Sequence, residues 1–241
     1  MLDFTAARFV SMGCAALALT GCLTPPCNCA PATGATAAGE VSAASDAPAA
    51  DPGAQPAAPT AKAGDQVVYD GDEAGLAAKG WADCDKKPDC KSQLAPAPGA
   101  GRNNSVGLKF HGEGSGWIGA GWNLFGWWPA DAGLDVSGTT HLVMWVKVEA
   151  KSKEQAPDAT ALLTTLKCST NDKCISKEAV LSKYSKGDLF DGQWHEVAVP
   201  LADIKKPEFV PEKVWEVGLS TWQATPKNFN VYVDDISFQK R

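Results

Sequence analysis

Apolar side chains recur at every second position over several short stretches of this chain, the spacing of half-buried strands. Residues 66–70 and 105–111 read this way, the latter with Val106, Leu108 and Phe110 on one face. Residues 117–124 put Ile118, Ala120, Trp122 and Leu124 on an apolar face and Trp117, Gly119, Gly121 and Asn123 on the other. A glycine-rich turn over residues 112–116 separates these two strands. Residues 141–148 place Leu142, Met144, Val146 and Val148 inward and Trp145 outward. Residues 160–168 and 178–181 read as a hairpin around a hydrophilic loop. Residues 214–222 send Trp215, Val217 and Leu219 inward and Glu216, Ser220 and Trp222 outward, and Gln223 follows on the same outer surface. Eight or nine short strands and no convincing helix predict an all-β, two-layer sandwich.

The last such stretch, residues 228–238, breaks its own rhythm. Val231 and Val233 keep period two, and the alternation then slips by one residue across Asp234 and Asp235 before Ile236 and Phe238. Two adjacent carboxylates in an apolar strand are costly to bury unless their charge is compensated. A β-bulge that turns one of them outward is one solution. A hard cation held by oxygens is another. Both are expected here, with Asp234 facing a calcium ion.

Composition changes the picture at the N-terminus. Phe9 to Thr20 is apolar and small and follows Arg8, a run of signal-peptide length that is too short to span a bilayer. It ends in Leu19, Thr20, Gly21 and Cys22, which resembles the bacterial lipobox. The resemblance implies removal of residues 1–21, acylation of Cys22 and anchoring to a membrane. With Leu23 after the cysteine it also implies sorting to the outer membrane or cell surface. Residues 22–64 are rich in Ala, Pro, Gly, Ser and Thr and cannot bury enough surface to order, so they read as a disordered tether. A flexible chain of this length spans on the order of 35 Å. The sandwich domain is then residues 65–241.

Six of the eight cysteines remain after Cys14 and Cys22 are set aside. Cys84 with Cys90 and Cys168 with Cys174 each bracket a hydrophilic loop and read as local disulfides, suited to an exported protein. Such short loops gain roughly 2 kcal/mol each in the chain-entropy picture. The rival reading is a zinc site, which favours tighter spacing. Cys27 and Cys29 are too close for an unstrained bridge and receive no assignment. The net charge of −6 and the lack of a basic run speak against nucleic-acid binding. Nine Trp against three Tyr, several of them in glycine-rich stretches, favour a surface on which something stacks.

The closing strand with its Asp234, Asp235 and Ile236 resembles that of carbohydrate-binding modules with the galactose-binding-like jelly-roll fold. So does the run Gly192, Trp194, His195, Val197, Val199, Pro200 and Leu201. The likeness implies that Trp194 is a core residue. It also implies one structural calcium shared by Asp234 and the acidic turn, through Asp70, Asp72 or Glu73. A solvated acidic turn is the alternative. By this reading Trp117, Trp145 and Trp222 form the platform for a polysaccharide or cell-envelope glycan, with Asn123 and Gln223 bonding its hydroxyls. The bare Gly119 and Gly121 would let a flat ligand approach the sheet.

No catalytic constellation is legible. His111, His141 and His195 fall on separate strands, and neither a zincin helix motif nor a nucleophile elbow occurs. Gly114, Gly116 and Gly119 match a dinucleotide fingerprint only formally, because the next residues alternate as a strand. The expectation is a non-catalytic glycan-binding module. The same fold as a protein-interaction or envelope-assembly module, and a hydrolase with an unrecognised carboxylate pair, are the competing readings.

Overall fold

The computed structural model describes residues 65–71, 79–85, 88–125 and 132–241. The signal segment, Cys22, the tether, Cys27, Cys29 and Asp72 lie outside the described residues. Nine strands are present among those described: β1 (Gln66–Tyr69), β2 (Gly80–Cys84), β3 (Lys91–Pro98), β4 (Val106–Asn123), β5 (His141–Ala150), β6 (Leu163–Cys168), β7 (Ala179–Val180), β8 (His195–Pro200) and β9 (Val214–Gln239). One helical turn, α1 (Leu201–Ile204), follows β8. Every strand pairing is antiparallel.

Two long strands organise the rest. β4 and β9 pair from Leu108 opposite Val233 to Asn123 opposite Glu216, with one irregularity between Gly114 and Gly116. On one side of that irregularity lie β3, β5, β8 and β1; on the other lie β2, β6 and β7. The apolar faces of both halves meet in a single core. Leu108, Phe110, Met144, Val146, Val197 and Val231 from the first half join Ile118, Trp122, Leu166, Val217 and Leu219 from the second. The hydrogen-bonded ladder is thus folded over on itself as a sandwich, and its two outer faces look away from each other.

The glycine-rich segment is not the turn that its composition predicts. The strand runs through it and bends, with Gly114 at φ +110° and Gly116 at φ +88°. A side chain on Gly114 would strike the backbone at Asp89 and Cys90, at 2.8 and 2.9 Å. On β9 the bend is taken up by Ala224, Thr225 and Pro226, which are exposed. β3 was also hidden, because Pro96 and Pro98 argue against a strand. It pairs only with β4, and two prolines two residues apart turn their nitrogens to the same, open side of the edge.

The bulge predicted at the doubled carboxylate is present. Val143 pairs with Ser237 and Trp145 with Asp234, so Asp235 and Ile236 together oppose Met144. Asp235 adopts φ +46°. Val233, Ile236 and Phe238 are all fully buried on either side of it. Both predicted disulfides are formed, Cys84–Cys90 with 6.2 Å and Cys168–Cys174 with 5.3 Å between Cα atoms.

Two tryptophans depart from expectation. Trp194 does not enter the core: Val197 and Val199 set the inward parity of β8, which leaves Trp194 on the outer side, half-buried, with the Lys147 ammonium 5.5 Å from its ring. Trp215 is displaced by a second bulge. Lys167 pairs with Glu216 but Cys168 with Val214, so Val214 takes the inward place and Trp215 turns outward.

Candidate functional site

The outer face of the half built on β2, β4, β9 and β6 carries the aromatic surface. Trp81 on β2 lies opposite Gly121 of β4, and Trp117 lies two residues along β4 from Gly119. The two indoles are 6.2 Å apart between centroids and 18° from parallel. The glycines are bare because these rings lie on them. A side chain on Gly119 would come within 2.4 Å of the Trp117 ring, and one on Gly121 within 2.5 Å of Trp81 Nε1. The expectation that the bare glycines admit a ligand directly is therefore corrected: the space they leave is taken by the protein's own indoles.

Polar groups fix this arrangement. Trp81 Nε1–H donates to Glu216 Oε2 at 2.8 Å. Lys167 Nζ pairs with the other carboxylate oxygen at 2.9 Å and sits 4.9 Å from the Trp81 ring. Glu216 is itself buried, so its charge is held between an indole donor and an ammonium. Asp85 Oδ2 accepts a hydrogen bond from the Trp117 backbone N–H at 3.0 Å, and Asp85 N–H donates to the Trp117 carbonyl at 2.9 Å.

A cleft of about 510 Å³ opens beside the two rings, lined among others by Asp83, Asn123, Trp215 and the residues of the Cys168–Cys174 loop. Asn123 is completely buried, and neither its Oδ1 nor its Nδ2 has a hydrogen-bond partner among the described residues. An amide buried without partners costs about 1–3 kcal/mol, which the fold must tolerate for some gain.

The five residues singled out from sequence are divided by the structure. Trp117 and Trp222 are cross-strand partners on this face, and Trp222 is 60% exposed. Asn123 lines the same cleft as Trp117 from the C-terminal end of β4, six residues or roughly 20 Å of strand along from it. Gln223 does not share the surface. Alternation turns it inward, where it is buried, donates to Thr221 Oγ1 and accepts from Asp158 N–H at 3.4 Å. Trp145 belongs to the other outer face, opposite Asp234, with the Arg102 guanidinium 3.5 Å above its ring. The single platform of Trp117, Trp145 and Trp222 is thus not formed. Trp81, Trp215, Lys167 and Glu216 were missed. The paired glycines of β4 were the available signal, since a neighbouring ring must fill the space that they leave.

Around the doubled carboxylate, compensation comes from hydrogen-bond donors and a cation. Asp234 accepts from Arg102 N–H at 2.8 Å, Ser105 Oγ–H at 2.6 Å and Asp235 N–H at 2.8 Å. The buried Arg102 guanidinium pairs with Asp235. Burial and the neighbouring Asp234 push the Asp235 carboxyl above its usual range, with Arg102 opposing them. Among the described residues no group of three or more acidic, His or Cys side chains could hold a metal. Of the expected calcium ligands, Asp72 and Glu73 lie outside the described residues, and Asp70 is exposed and lies near enough to Asp235 to push its carboxyl further up. The three histidines have local partners: His111 with Asn230 at 3.0 Å, His195 with Asp191 at 2.9 Å and His141 with Thr140 at 2.8 Å.

The profile of carbohydrate binding domain 30 matches residues 78–240, more than half of the chain and all of this face. The chain belongs to carbohydrate-binding domain family 30. This membership supports carbohydrate binding without catalysis. The family 30 module described here is similar in fold to the family 30 module of the cellulosomal cellulase Cel9D-Cel44B of Clostridium thermocellum. The TM-score is 0.54 at 18% identity, over 73% of this chain and 98% of that one. A second solved family 30 module matches with TM-score 0.55 at 16% identity, over 73% and 88% of the two chains. The β-1,2-glucanase of Parabacteroides distasonis matches with TM-score 0.54 at 19% identity, over 73% of this chain and only 25% of the enzyme. No curated protein sequence matches the chain.

Proposed function

We propose that this family 30 module binds a polysaccharide through the indole platform of Trp81, Trp117 and Trp222, with Asn123 bonding hydroxyls in the adjoining cleft. The observation that carries the reading is the pair of near-parallel indoles laid over Gly119 and Gly121 beside an exposed Trp222. Flat aromatic faces stack on the apolar faces of sugar rings, while amides and carboxylates at the edge fix their orientation. Gln223 and Trp145 drop out of the ligand set on their burial and placement. Acylation at Cys22 would hold the module at the outer membrane or cell surface, with residues 22–64 as the spacer; the lipobox-like run supports this part.

Affinity electrophoresis against hydroxyethylcellulose, mixed-linked β-glucan and β-1,2-glucan tests the binding. Hydroxyethylcellulose and β-1,2-glucan are the first choice because a cellulase and a β-1,2-glucanase carry modules of similar fold, and mixed-linked β-glucan is a third, differently linked glucan for comparison. The wild-type chain is expected to be retarded by at least one of them. Trp117→Ala is expected to weaken that retardation at least tenfold, a usual cost of truncating a central aromatic contact. Lack of retardation by any polysaccharide refutes the proposal. Mass spectrometry of the mature N-terminus tests the anchor, which requires a lipidated Cys22.

A further inference from the structure

The Cys168–Cys174 loop reads from sequence as a staple at a loop tip, yet it stands against the cleft. Both cysteines line it, as do Asn171 and Asp172 between them. The loop is tightly fixed. Cys168 N–H donates to the Cys174 carbonyl at 2.8 Å, and Cys174 N–H donates to the Asn171 carbonyl at 3.0 Å. Lys173 N–H donates to Asn171 Oδ1 at 2.9 Å, and Ser169 N–H donates to the Lys213 carbonyl at 2.9 Å. Both sulfurs are buried and accept from Val210 N–H at 3.4 and 3.3 Å. Asp172 is left exposed on the cleft side, while Asp83 lines the same cleft from β2.

The second observation is independent of the loop. The Asn123 amide has one acceptor and two donor hydrogens, is fully buried, and finds no partner among the described residues. Asn123 lines the cleft, and a group entering it with both an acceptor and a donor, such as a sugar hydroxyl, would satisfy the amide. Loop and amide lie at the same end of the sheet, where β4 and β6 finish and β9 begins.

We propose that the Cys168–Cys174 loop is the specificity-determining wall of the glycan cleft: Asp172 on the wall and Asn123 on the floor hold the hydroxyls of one sugar residue at the end of the indole platform. This rests on the platform reading of the previous section. The indoles supply affinity for any flat-faced sugar chain, and the loop decides which hydroxyl pattern is accepted. A hydrogen bond to a charged group discriminates more strongly than a neutral one, which favours Asp172 as the main selector.

The test compares the full chain with Asp172→Ala, the double variant Cys168→Ser/Cys174→Ser, and Trp117→Ala. Affinities for hydroxyethylcellulose, mixed-linked β-glucan and β-1,2-glucan are measured by affinity electrophoresis and calorimetry. Asp172 is exposed, so its replacement leaves the melting temperature unchanged; near-UV circular dichroism checks the cysteine variant. Asp172→Ala is expected to weaken the best-bound glucan about tenfold and the weakest less than twofold, and the cysteine variant is expected to compress the ranking in the same way. Unchanged affinities in both loop variants, with binding lost in Trp117→Ala, overturn the loop proposal and leave the platform reading standing. A uniform loss across all three glucans makes the loop a structural staple only and also overturns it. Binding of no glucan by the wild-type chain sinks both.

Discussion

The indole nitrogen of Trp81 donates to the carboxylate of Glu216, which lies far along the sequence and two strands away across β4. Removing the acceptor frees the ring to leave the sheet. Glu216→Ala is expected to lower glycan affinity about tenfold, whereas Glu216→Gln keeps an acceptor and most of the binding. Near-UV circular dichroism, which reports the coupled Trp81 and Trp117 rings, is expected to change in the Ala variant and not in the Gln variant. Identical behaviour of the two variants contradicts a positioning role.

Asn123 sets stability against binding. Leucine is close to asparagine in shape and leaves no buried polar atom unsatisfied. Asn123→Leu is therefore expected to unfold at the same denaturant concentration as wild type or a higher one, by up to about 1–2 kcal/mol. The same variant is expected to lose binding. A clear loss of stability would mean that the amide serves the fold.

Arg102 pairs with Asp235 in the structure, whereas the calcium ion was expected from sequence alone. Breaking a buried ion pair from one side costs about 3–5 kcal/mol, so Arg102→Met is expected to lower stability by that order. Treating the wild-type protein with a chelator is expected to move its melting temperature little. A large drop on chelation, restored by calcium, assigns the neutralisation to the metal and to ligands that include residues outside those described.

Glu196 gives a pH dependence with a definite sign. Burial raises its carboxyl, but Arg241 at 2.7 Å and Lys186 at 2.8 Å outweigh that and hold it below its usual range. A carboxylate depressed by folding contributes stability above its unfolded pKa and loses it as pH falls through the folded value. The destabilisation caused by Glu196→Gln is expected to be present at pH 7 and to fade below pH about 4. Denaturant titrations at both pH values measure it; an equal cost at both contradicts the pairing.

Strand parity was legible wherever branched apolar residues alternate without interruption. Residues 141–148 and the inward positions Val217, Leu219, Val231 and Val233 needed nothing else, and the slip at Asp234 announced its own bulge. The misreadings have separate causes. Trp215 was placed by parity across a position where a bulge, invisible in the local pattern, resets it. Gln223 was carried to the outer face by adjacency to Trp222, although neighbours on a strand point opposite ways. Trp145 has the right parity but belongs to the opposite layer, and layer membership depends on pairing over long distances. Trp81 was overlooked because β2 is short and owes its place to β4.

Because β4 and β9 pass through both halves, the two sheets are one woven fabric with a single seam at Gly114 and Gly116. Neither layer can slide over the other without tearing that ladder. A ligand pressing on the indoles therefore bears on strands whose backbone runs on into the opposite layer.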